Sequence, residues 1–275
     1  MPDNQHENPQ PLIKPSHFAA EHAAPFQDAS VAAAYHHRPP YPAATFDLLT
    51  GLIAAGAPRR VLDVGCGPGN LARKLIEYVD QVDAVDFSQA MLDAGKKLPN
   101  GDHPNLHWLH GRVEDVPLTP PYGLVTAGAS IHWLDWNGVF PRFHEVLIPG
   151  GYVAIVGYRT TPDPWTPLQD LIDQYRTDGG FQPYDLWGNL TAYGLFHKVG
   201  AAETAPIIFR QSLDDYIASY HSRSGFSCER MGEANAVAFD AAARTKLLES
   251  YPDGVITLEV VGTVLWGVPG DPQKR

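Results

Sequence analysis

The stretch Arg60-Val61-Leu62-Asp63-Val64-Gly65-Cys66-Gly67-Pro68-Gly69-Asn70 decides the fold of this chain. Its first half is an apolar run of strand length. The three glycines that follow let the backbone turn sharply and let a ligand approach the amides. Leu71, Leu75, Ile76 and Val79 then recur at helical spacing. A strand, a glycine-rich turn and a helix in this order are typical of a nucleotide-binding fold.

The spacing of the glycines narrows the kind of ligand. A dinucleotide fingerprint requires Gly-x-Gly-x-x-Gly. In this chain the third glycine is Gly69, one residue early, and Asn70 occupies the required position. The turn also lacks the Gly-Lys-Ser/Thr of a phosphate-binding loop, which agrees with a ligand that carries no phosphate. The pattern therefore disfavours NAD and FAD.

An acidic residue at the end of the next apolar run completes a nucleoside site. Asp86 follows Gly65 by 21 positions and ends the strand candidate 81–86. A carboxylate in this place can accept both ribose hydroxyls, and Phe87 can pack on an adenine face. Residues 65–69 could instead be a tight turn, and Asp86 a helix-capping carboxylate in front of Ser88. The two features at this separation favour the nucleoside site.

Short apolar runs alternate with helical patterns along the chain. Strands that are apolar on both faces and alternate with helices indicate a parallel sheet covered by helices. The sequence therefore predicts an α/β, doubly wound, Rossmann-like fold, with a helical elaboration in the C-terminal half. Two less regular helices are expected near 168–175 and 186–199. The candidate strands are 60–64, 81–86, 105–110, 123–127, 151–157, 206–212 and 255–266.

Composition limits the partners and the compartment. The chain has 275 residues, 20 basic and 31 acidic, and a formal charge of −11. Such a surface repels nucleic acids and anionic membranes, so small molecules or proteins are the expected partners. Two distant cysteines and no visible secretory signal or membrane span predict a cytoplasmic protein. Residues 1–25 read as a flexible segment, and the sequence does not indicate an oligomeric state.

Several segments together resemble a known family. VLDVGCGPGN, VDAVDFSQAML, GRVEDVPL, ASIHWLD and VLIPGGYVAI occur in that order. They resemble class I S-adenosylmethionine (SAM)-dependent methyltransferases. The branch around trans-aconitate methyltransferase also has a tyrosine, an Arg-Pro-x-Tyr-Pro element and a His-Trp pair, here Tyr35, residues 38–42 and His132-Trp133. The resemblance is strong over 35–156 and weaker beyond.

The resemblance implies a fold, a cofactor and a domain plan. The sheet would be seven-stranded and mixed, with the last strand, 255–266, antiparallel. SAM would be the methyl donor and S-adenosylhomocysteine the product. Residues 26–275 would form one domain: a lid and first helix over 26–58, a SAM-binding core over 59–160, and C-terminal strands with a helical acceptor-side elaboration over 161–275.

Site residues follow from the resemblance position by position. Asp63 and the turn would surround the methionyl part of SAM, Asp86 would hold the ribose, and Phe87 and Met91 would flank the adenine. Tyr35 and Arg38 would lie on a lid. The implied cofactor-binding residues are Tyr35, Arg38, Asp63, Gly65, Cys66, Gly67, Gly69, Asp86, Phe87, Met91, Val113, Glu114 and Ala129.

One position departs from the pattern of many relatives. They carry an aspartate where this chain has Arg112, and that carboxylate receives the adenine amino group. An arginine cannot accept a hydrogen bond. The amide of Val113 or the side chain of Glu114 must then serve, or the contact is missing.

The acceptor side offers candidates with alternatives. His132 follows the fourth strand, so it would contact the acceptor or act as a base; otherwise it packs with Trp133. Arg38 would bind the SAM carboxylate or an acidic substrate by a bidentate contact, or face solvent.

No metal site is expected, because His107 and His110 point to opposite faces of a strand. Cys66 reads as a space-filling residue. Trp165, Trp187 and Trp266 would line an acceptor pocket or pack in the core.

The leading hypothesis is therefore a SAM-dependent methyltransferase that acts on a small molecule, at an oxygen of a carboxylate or hydroxyl. Catalysis would come mainly from proximity and orientation. The alternatives are a catalytically silent SAM-binding protein and a C- or N-methyltransferase on the same fold. The acidic chain argues against membrane lipids as acceptors, and an NAD-dependent oxidoreductase is disfavoured by the glycine spacing.

Overall fold

The computed structural model describes Lys14, Phe18 and residues 23–163, 165–179 and 184–270. Eight strands in these residues form one sheet, which confirms the predicted α/β fold. The flexible segment predicted for 1–25 lies mostly outside the described residues. The strands are β1 Arg60–Val64, β2 Gln81–Asp86, β3 Leu106–His110, β4 Tyr122–Gly128, β5 Leu147–Thr161, β6 Phe196–Glu203, β7 Ile207–Ser212 and β8 Val255–Pro269.

The strand order places a crevice at the carboxyl end of β1. The order is β3-β2-β1-β4-β5-β8-β6, and the pairs from β3 to β5 are all parallel. The chain runs outward from β1 to β2 and β3, and then returns to β4 on the other side of β1. Ligands bind in open sheets where the order reverses in this way. The loops after β1, β2 and β4 therefore face one another across the crevice.

The long strand β8 is antiparallel to its neighbours on both sides, as predicted for the last strand. One edge of β8 pairs with β5, from Val153↔Gly267 to Thr161↔Glu259. The other edge pairs first with β6 and then with β7. The β6 and β7 strands thus lie end to end along β8, separated by residues 204–206.

One secondary-structure prediction is wrong at this edge. Helix was expected over 186–199, but the helix ends at Ala192 and Phe196 starts β6. Phe196 is fully buried against the sheet, and its strand pairs with β8 from Phe196↔Pro269 onward. Pairing with a distant strand overrides the local helical pattern. The sheet consequently has eight strands instead of the expected seven.

Ten α-helices in the described residues cover the sheet and extend its C-terminal half. Short 3-10 helices include Tyr35–His37, Ile131–Trp133 and Ser219–Ser222. Among the described helices, none combines the length and the apolar character that crossing a membrane requires. The α-helices are α1 Ala29–Ala34, α2 Ala43–Gly51, α3 Ala72–Leu75, α4 Gln89–Gly95, α5 Trp136–Val146, α6 Gln169–Tyr175, α7 Leu186–Ala192, α8 Leu213–Ala218, α9 Cys228–Met231 and α10 Glu233–Ser250.

The alternation of side chains along β1 builds a core on each face of the sheet. Val61 packs with Leu49 and Leu75 on one face, and Leu62 packs with Trp136 on the other. All of these side chains are almost fully buried. Since each buried Leu or Val side chain contributes about 1.5–3 kcal/mol, the two cores hold β1 and the turn after it rigidly in place. A third core, around Tyr220 and Phe239, lies under the C-terminal helices.

Candidate functional site

The turn after β1 is shaped by glycines in the left-handed region. Gly65, Gly67 and Gly69 have φ of 60°, 55° and 76°. A Cβ on Gly65 would lie 2.5 Å from Cβ of Ser130, and one on Gly69 would lie 2.5 Å from the ring of Trp108. The turn is therefore restricted to glycine both by its backbone conformation and by close packing.

Asp86, at the end of β2, holds this turn through hydrogen bonds to backbone amides. One carboxylate oxygen accepts a hydrogen bond from the amide of Gly67 at 2.7 Å, and the other accepts from the amide of Ser88 at 2.8 Å. Burial raises the pKa of Asp86, and these two amides oppose the rise. Each oxygen retains a lone pair for another donor. Ser88 in turn caps α4 by accepting from the amide of Met91.

A central cavity of about 370 Å³ opens above Asp86. It is bounded by the turn after β1, the loop after β2, the loop after β3 and the loop after β4. Its wall combines aromatic and apolar side chains with the charged residues Lys14, Asp86, Arg112, Glu114 and Asp135. Of the residues expected to bind the cofactor, those on its wall are Tyr35, Gly65, Gly67, Asp86, Phe87, Met91, Val113, Glu114 and Ala129.

A side cavity of about 270 Å³ adjoins the central one and shares Tyr35, Gly65 and Ala129 with it. Arg38, Asp63 and Cys66 also line the side cavity. Ala129 has a φ of 52°, an unusual value for a residue with a Cβ. Strain of this kind is often found where a backbone faces a ligand.

Asp63 is the most unusual polar group at the side cavity. It is 1% exposed, and its Oδ1 accepts a hydrogen bond from Oγ1 of Thr126 at 2.8 Å. Its Oδ2 is buried and makes no hydrogen bond of ordinary geometry with the described residues, although the backbone amide of Ala72 is close enough to lower the pKa of the carboxyl. Burial raises the pKa of Asp63 to about 7. A buried carboxylate oxygen without a partner is costly, so it indicates a donor supplied by a ligand.

Arg38 does not face solvent. Its Nε and Nη2 donate to Oγ and the carbonyl oxygen of Ser222, at 2.8 and 2.6 Å, and its Nη1 donates to the hydroxyl of Tyr35 at 3.1 Å. The guanidinium also lies 4.1 Å from the centre of the Tyr35 ring. These hydrogen bonds tie the N-terminal segment around Arg38 to the C-terminal helical region beside the side cavity.

His132 lies in an aromatic cluster. Its ring is 4.7 Å from that of Trp133 and 5.0 Å from that of Phe18, and Phe18 also contacts Tyr184. Trp133 and Phe18 line the central cavity, whereas His132 is not among the described residues on its wall. These contacts correspond to the packing alternative for His132, and its part in the reaction stays a prediction.

Arg112 lies at the central cavity, at the position where many relatives of the resembled family carry an aspartate. Nη2 of Arg112 is 3.5 Å from the carboxylate of Glu114, which also accepts a hydrogen bond from the amide of Asp135 at 2.9 Å. Whether Glu114 takes the place of the aspartate that relatives carry at position 112 stays a prediction. Glu114 lines the cavity, which agrees with one of the two expected replacements.

The sequence analysis missed several residues of the central cavity wall, among them Lys14 and Phe18. Lys14 donates from Nζ to the carbonyl oxygen of Leu134 at 3.0 Å, and Phe18 packs on Trp133. Burial lowers the pKa of Lys14 to about 8, and Asp135 opposes this shift. Both residues lie in a stretch without apolar periodicity, so no sequence pattern pointed to them.

Gly69 and Cys66 are the remaining residues that were expected to bind the cofactor. Gly69 supports the turn through its contact with Trp108 and does not line either cavity. Burial raises the pKa of Cys66 well above its usual value, which disfavours the reactive thiolate.

The histidines considered as metal ligands and the tryptophans considered for an acceptor pocket each contact a different residue. His107 pairs with Asp83, and His110 contacts the carbonyl oxygen of Phe87. In the described part of the chain, no group of three metal-ligating side chains converges. Trp165 packs on Tyr220, and Trp187 packs on Phe196.

Comparison with known proteins finds similarity to methyltransferases in the central part of the chain. Residues 61–151 match the family model described as a methyltransferase domain. The chain is 36% identical to a malonyl-[acyl-carrier protein] O-methyltransferase of Halalkalibacterium halodurans, over 42% of this chain and 45% of that protein. It is 33% identical to a trans-aconitate 2-methyltransferase of Acidovorax sp. strain JS42, over 39% of this chain and 41% of that protein. The matched region is thus less than half of each curated relative.

A solved structure supports the fold over a longer range. A protein of Anaeromyxobacter dehalogenans described as a type II methyltransferase superposes with a TM-score of 0.61 and 23% identity. The superposition covers 84% of this chain and 99% of that one. At this identity the likeness establishes the architecture alone.

Proposed function

Because residues 61–151 match the model of a methyltransferase domain, we propose that the chain is a SAM-dependent methyltransferase acting on an oxygen of a small molecule. The observation that carries this proposal is that two buried carboxylates, those of Asp86 and Asp63, lie next to the glycine-rich turn. The Asp86 carboxylate can accept hydrogen bonds from ribose hydroxyls. The Asp63 carboxylate has a buried oxygen to which an ammonium group of the ligand can donate. The cofactor is S-adenosylmethionine, and the product is S-adenosylhomocysteine.

The two cavities fit the two halves of this cofactor. Asp86, Phe87 and Met91 in the central cavity would hold the adenosine, and Glu114 would accept from the adenine amino group. Asp63 and Arg38 in the side cavity would hold the ammonium and the carboxylate of the methionyl part. The cofactor supplies an electrophilic methyl group on a sulfonium. The proposed contacts from Asp63, Asp86 and Glu114 come from strands and loops that the two cores fix on the sheet, whereas Arg38 comes from the N-terminal segment.

Catalysis is then a matter of positioning. The acceptor oxygen forms a bond to the methyl carbon while the carbon–sulfur bond breaks and its electron pair stays on sulfur. The chain holds the acceptor in line, and the aromatic cluster of Phe18, Trp133 and Tyr184 excludes water. A carboxylate acceptor needs no base, whereas a hydroxyl would use one, and His132 is the candidate for that role.

The relatives support oxygen as the acceptor atom. One named relative is described as a malonyl-[acyl-carrier protein] O-methyltransferase, and the other as a trans-aconitate 2-methyltransferase. We treat 26–275 as the functional unit, with 26–58 as the lid and 161–275 as the acceptor side. A cytoplasmic location remains the prediction made from the sequence.

The test is transfer of a labelled methyl group. The protein is incubated with methyl-labelled SAM and a cell extract, and small molecules that gain one labelled methyl are found by mass spectrometry. A labelled ester or ether supports the proposal. A labelled carbon or nitrogen would assign the other chemistry, and SAM binding without any labelled product would indicate a silent cofactor-binding protein.

A further inference from the structure

The 3-10 helix Ser219–Ser222 carries the residue that orients Arg38. Nε of Arg38 donates to Oγ of Ser222 at 2.8 Å, and its Nη2 donates to the carbonyl oxygen of Ser222 at 2.6 Å. Arg38 itself lies on the wall of the side cavity. The direction in which its guanidinium points therefore depends on where this short helix is held.

His221, the residue before Ser222, holds the short helix from its buried side. It is 7% exposed. Its Nδ1 lies 2.8 Å from the carbonyl oxygen of Phe226, and its Nε2 lies 2.9 Å from Oδ1 of Asp240 on α10. A carbonyl oxygen and a carboxylate only accept hydrogen bonds, whereas a neutral imidazole carries one N–H. Both contacts are hydrogen bonds only when His221 is protonated, so the geometry indicates a charged imidazolium.

The groups that face His221 favour this charge. Asp240 is the carboxylate partner, and the ring of Phe239 lies on another side. Burial raises the pKa of the Cys228 thiol near Asp240, so this thiol is neutral. Burial alone would lower the pKa of His221, but the hydrogen bonds to Asp240 and to the Phe226 carbonyl, with the charge of Asp240, raise it above its ordinary value of 6.5. His221 therefore loses its proton only as the pH rises beyond that value.

The other titratable groups around the short helix have partners of their own. The helix α1, which packs on it, contains no titratable residue. The remaining groups pair as His36 with the carbonyl oxygen of Ala33, His37 with Asp215, Asp214 with Arg244, Tyr216 with Tyr220, Tyr35 with Arg38, and Arg223 with the carbonyl oxygen of Ser219. Asp240 is thus the charge that governs the protonation of His221.

We propose that protonated His221 positions Arg38 for the methionyl carboxylate of the cofactor, by fixing Ser222, and that loss of its proton weakens cofactor binding. The neutral ring would turn a lone pair towards either the Phe226 carbonyl or Asp240, so that one hydrogen bond is replaced by repulsion. His221 is not among the described residues on the wall of the central or the side cavity, so it acts through Ser222 and Arg38. The inference rests on the proposed function and adds pH control of the cofactor half of the site.

The experiment measures the affinity for S-adenosylhomocysteine by calorimetry at several values between about pH 6 and about pH 9. The proteins are the wild type, His221→Gln and Asp240→Asn. The matched control is His144→Gln, which removes an exposed histidine on α5. Asp63 also titrates in this range, but it does so in all four proteins, so its effect cancels in the ratio of each affinity to that of the control. Thermal unfolding is measured for every variant.

The expected loss of affinity depends on pH. At about pH 6, His221→Gln binds S-adenosylhomocysteine about 3- to 10-fold more weakly than the control, the range for one hydrogen bond. The ratio approaches one at about pH 9, because the wild-type histidine is then neutral as well. In Asp240→Asn the charge that retains the proton is missing, so the fall in affinity occurs at lower pH than in the wild type. His144→Gln equals the wild type throughout.

Three outcomes overturn the inference. A folded His221→Gln variant with the affinity of the control at every pH shows that His221 does not position Arg38. A loss that is the same at every pH shows that His221 only supports the fold. In Asp240→Asn, whose altered side chain is half exposed, a fall in affinity at the wild-type pH contradicts the role of the ion pair even if His221→Gln does not fold. A wild-type protein that does not bind S-adenosylhomocysteine would instead refute the proposed function itself.

Discussion

Replacing Asp63 with asparagine should make the ligand-free protein more stable and its cofactor binding weaker. In the folded protein burial raises the pKa of Asp63 from 3.8 to about 7. The folded state therefore binds a proton that the unfolded chain has already released over this range. Wild-type stability is consequently lost as the pH rises from about 4 towards 7, while an asparagine does not titrate. The hydrogen bond from Thr126 can be kept by the amide oxygen.

The magnitude follows from the two pKa values. Between pH 5 and pH 8, linkage gives a loss of about 2.5 kcal/mol in the wild type that the Asp63→Asn variant does not suffer. Urea unfolding of both proteins at several pH values measures the difference directly. The free energy of unfolding of the variant, minus that of the wild type, should rise by this amount.

The affinity for S-adenosylhomocysteine should change in the opposite direction. The asparagine cannot offer a charged oxygen to the ammonium group, so binding weakens at pH 8, where the wild-type carboxylate is ionised. If the difference in unfolding free energy between the Asp63→Asn variant and the wild type does not change with pH, Asp63 is already ionised and partnered in the ligand-free protein. Equal affinity in the two proteins would show that Asp63 does not face the cofactor.

Three further substitutions test the site. Asp86→Asn turns an amide N–H₂ towards either the Gly67 or the Ser88 amide, so calorimetry should show S-adenosylhomocysteine binding weaker by about 10- to 100-fold; an unchanged affinity would remove Asp86 from the ribose. Gly65→Ala forces a Cβ against Ser130 at positive φ, so thermal unfolding should occur at a lower temperature and binding should be lost; normal binding would contradict the tight turn. Ser222→Ala removes one of the hydrogen bonds that orient Arg38, and a weakening of cofactor binding by about 3- to 10-fold is expected; a larger effect on acceptor KM than on cofactor affinity would instead assign that arginine to the acceptor.

The half of the site that lies on the sheet was predictable from the sequence. β1 and β2 have the expected bounds because each is a short buried run bordered by a strong turn signal. Glycine spacing and an acidic residue at the next strand end are local patterns. They placed the turn and Asp86 in one crevice without knowledge of the remaining chain.

Contacts between distant segments were not predictable. The first part of β6 was predicted as helix because its strand character comes from pairing with β8, at least sixty residues later. The partner of Arg38 is Ser222 in the C-terminal half, and Lys14 reaches the cavity from a stretch without periodicity. No local pattern distinguishes such residues from other surface residues, so the acceptor side could be described only from the structure.

The central claim is that the crevice above Asp86 binds S-adenosylmethionine and not a dinucleotide. Calorimetric titration of the purified protein with S-adenosylhomocysteine, and separately with NAD, tests it most directly. The account predicts one binding site per chain for S-adenosylhomocysteine and no measurable heat of binding for NAD. Binding of NAD, or failure to bind S-adenosylhomocysteine, would contradict it.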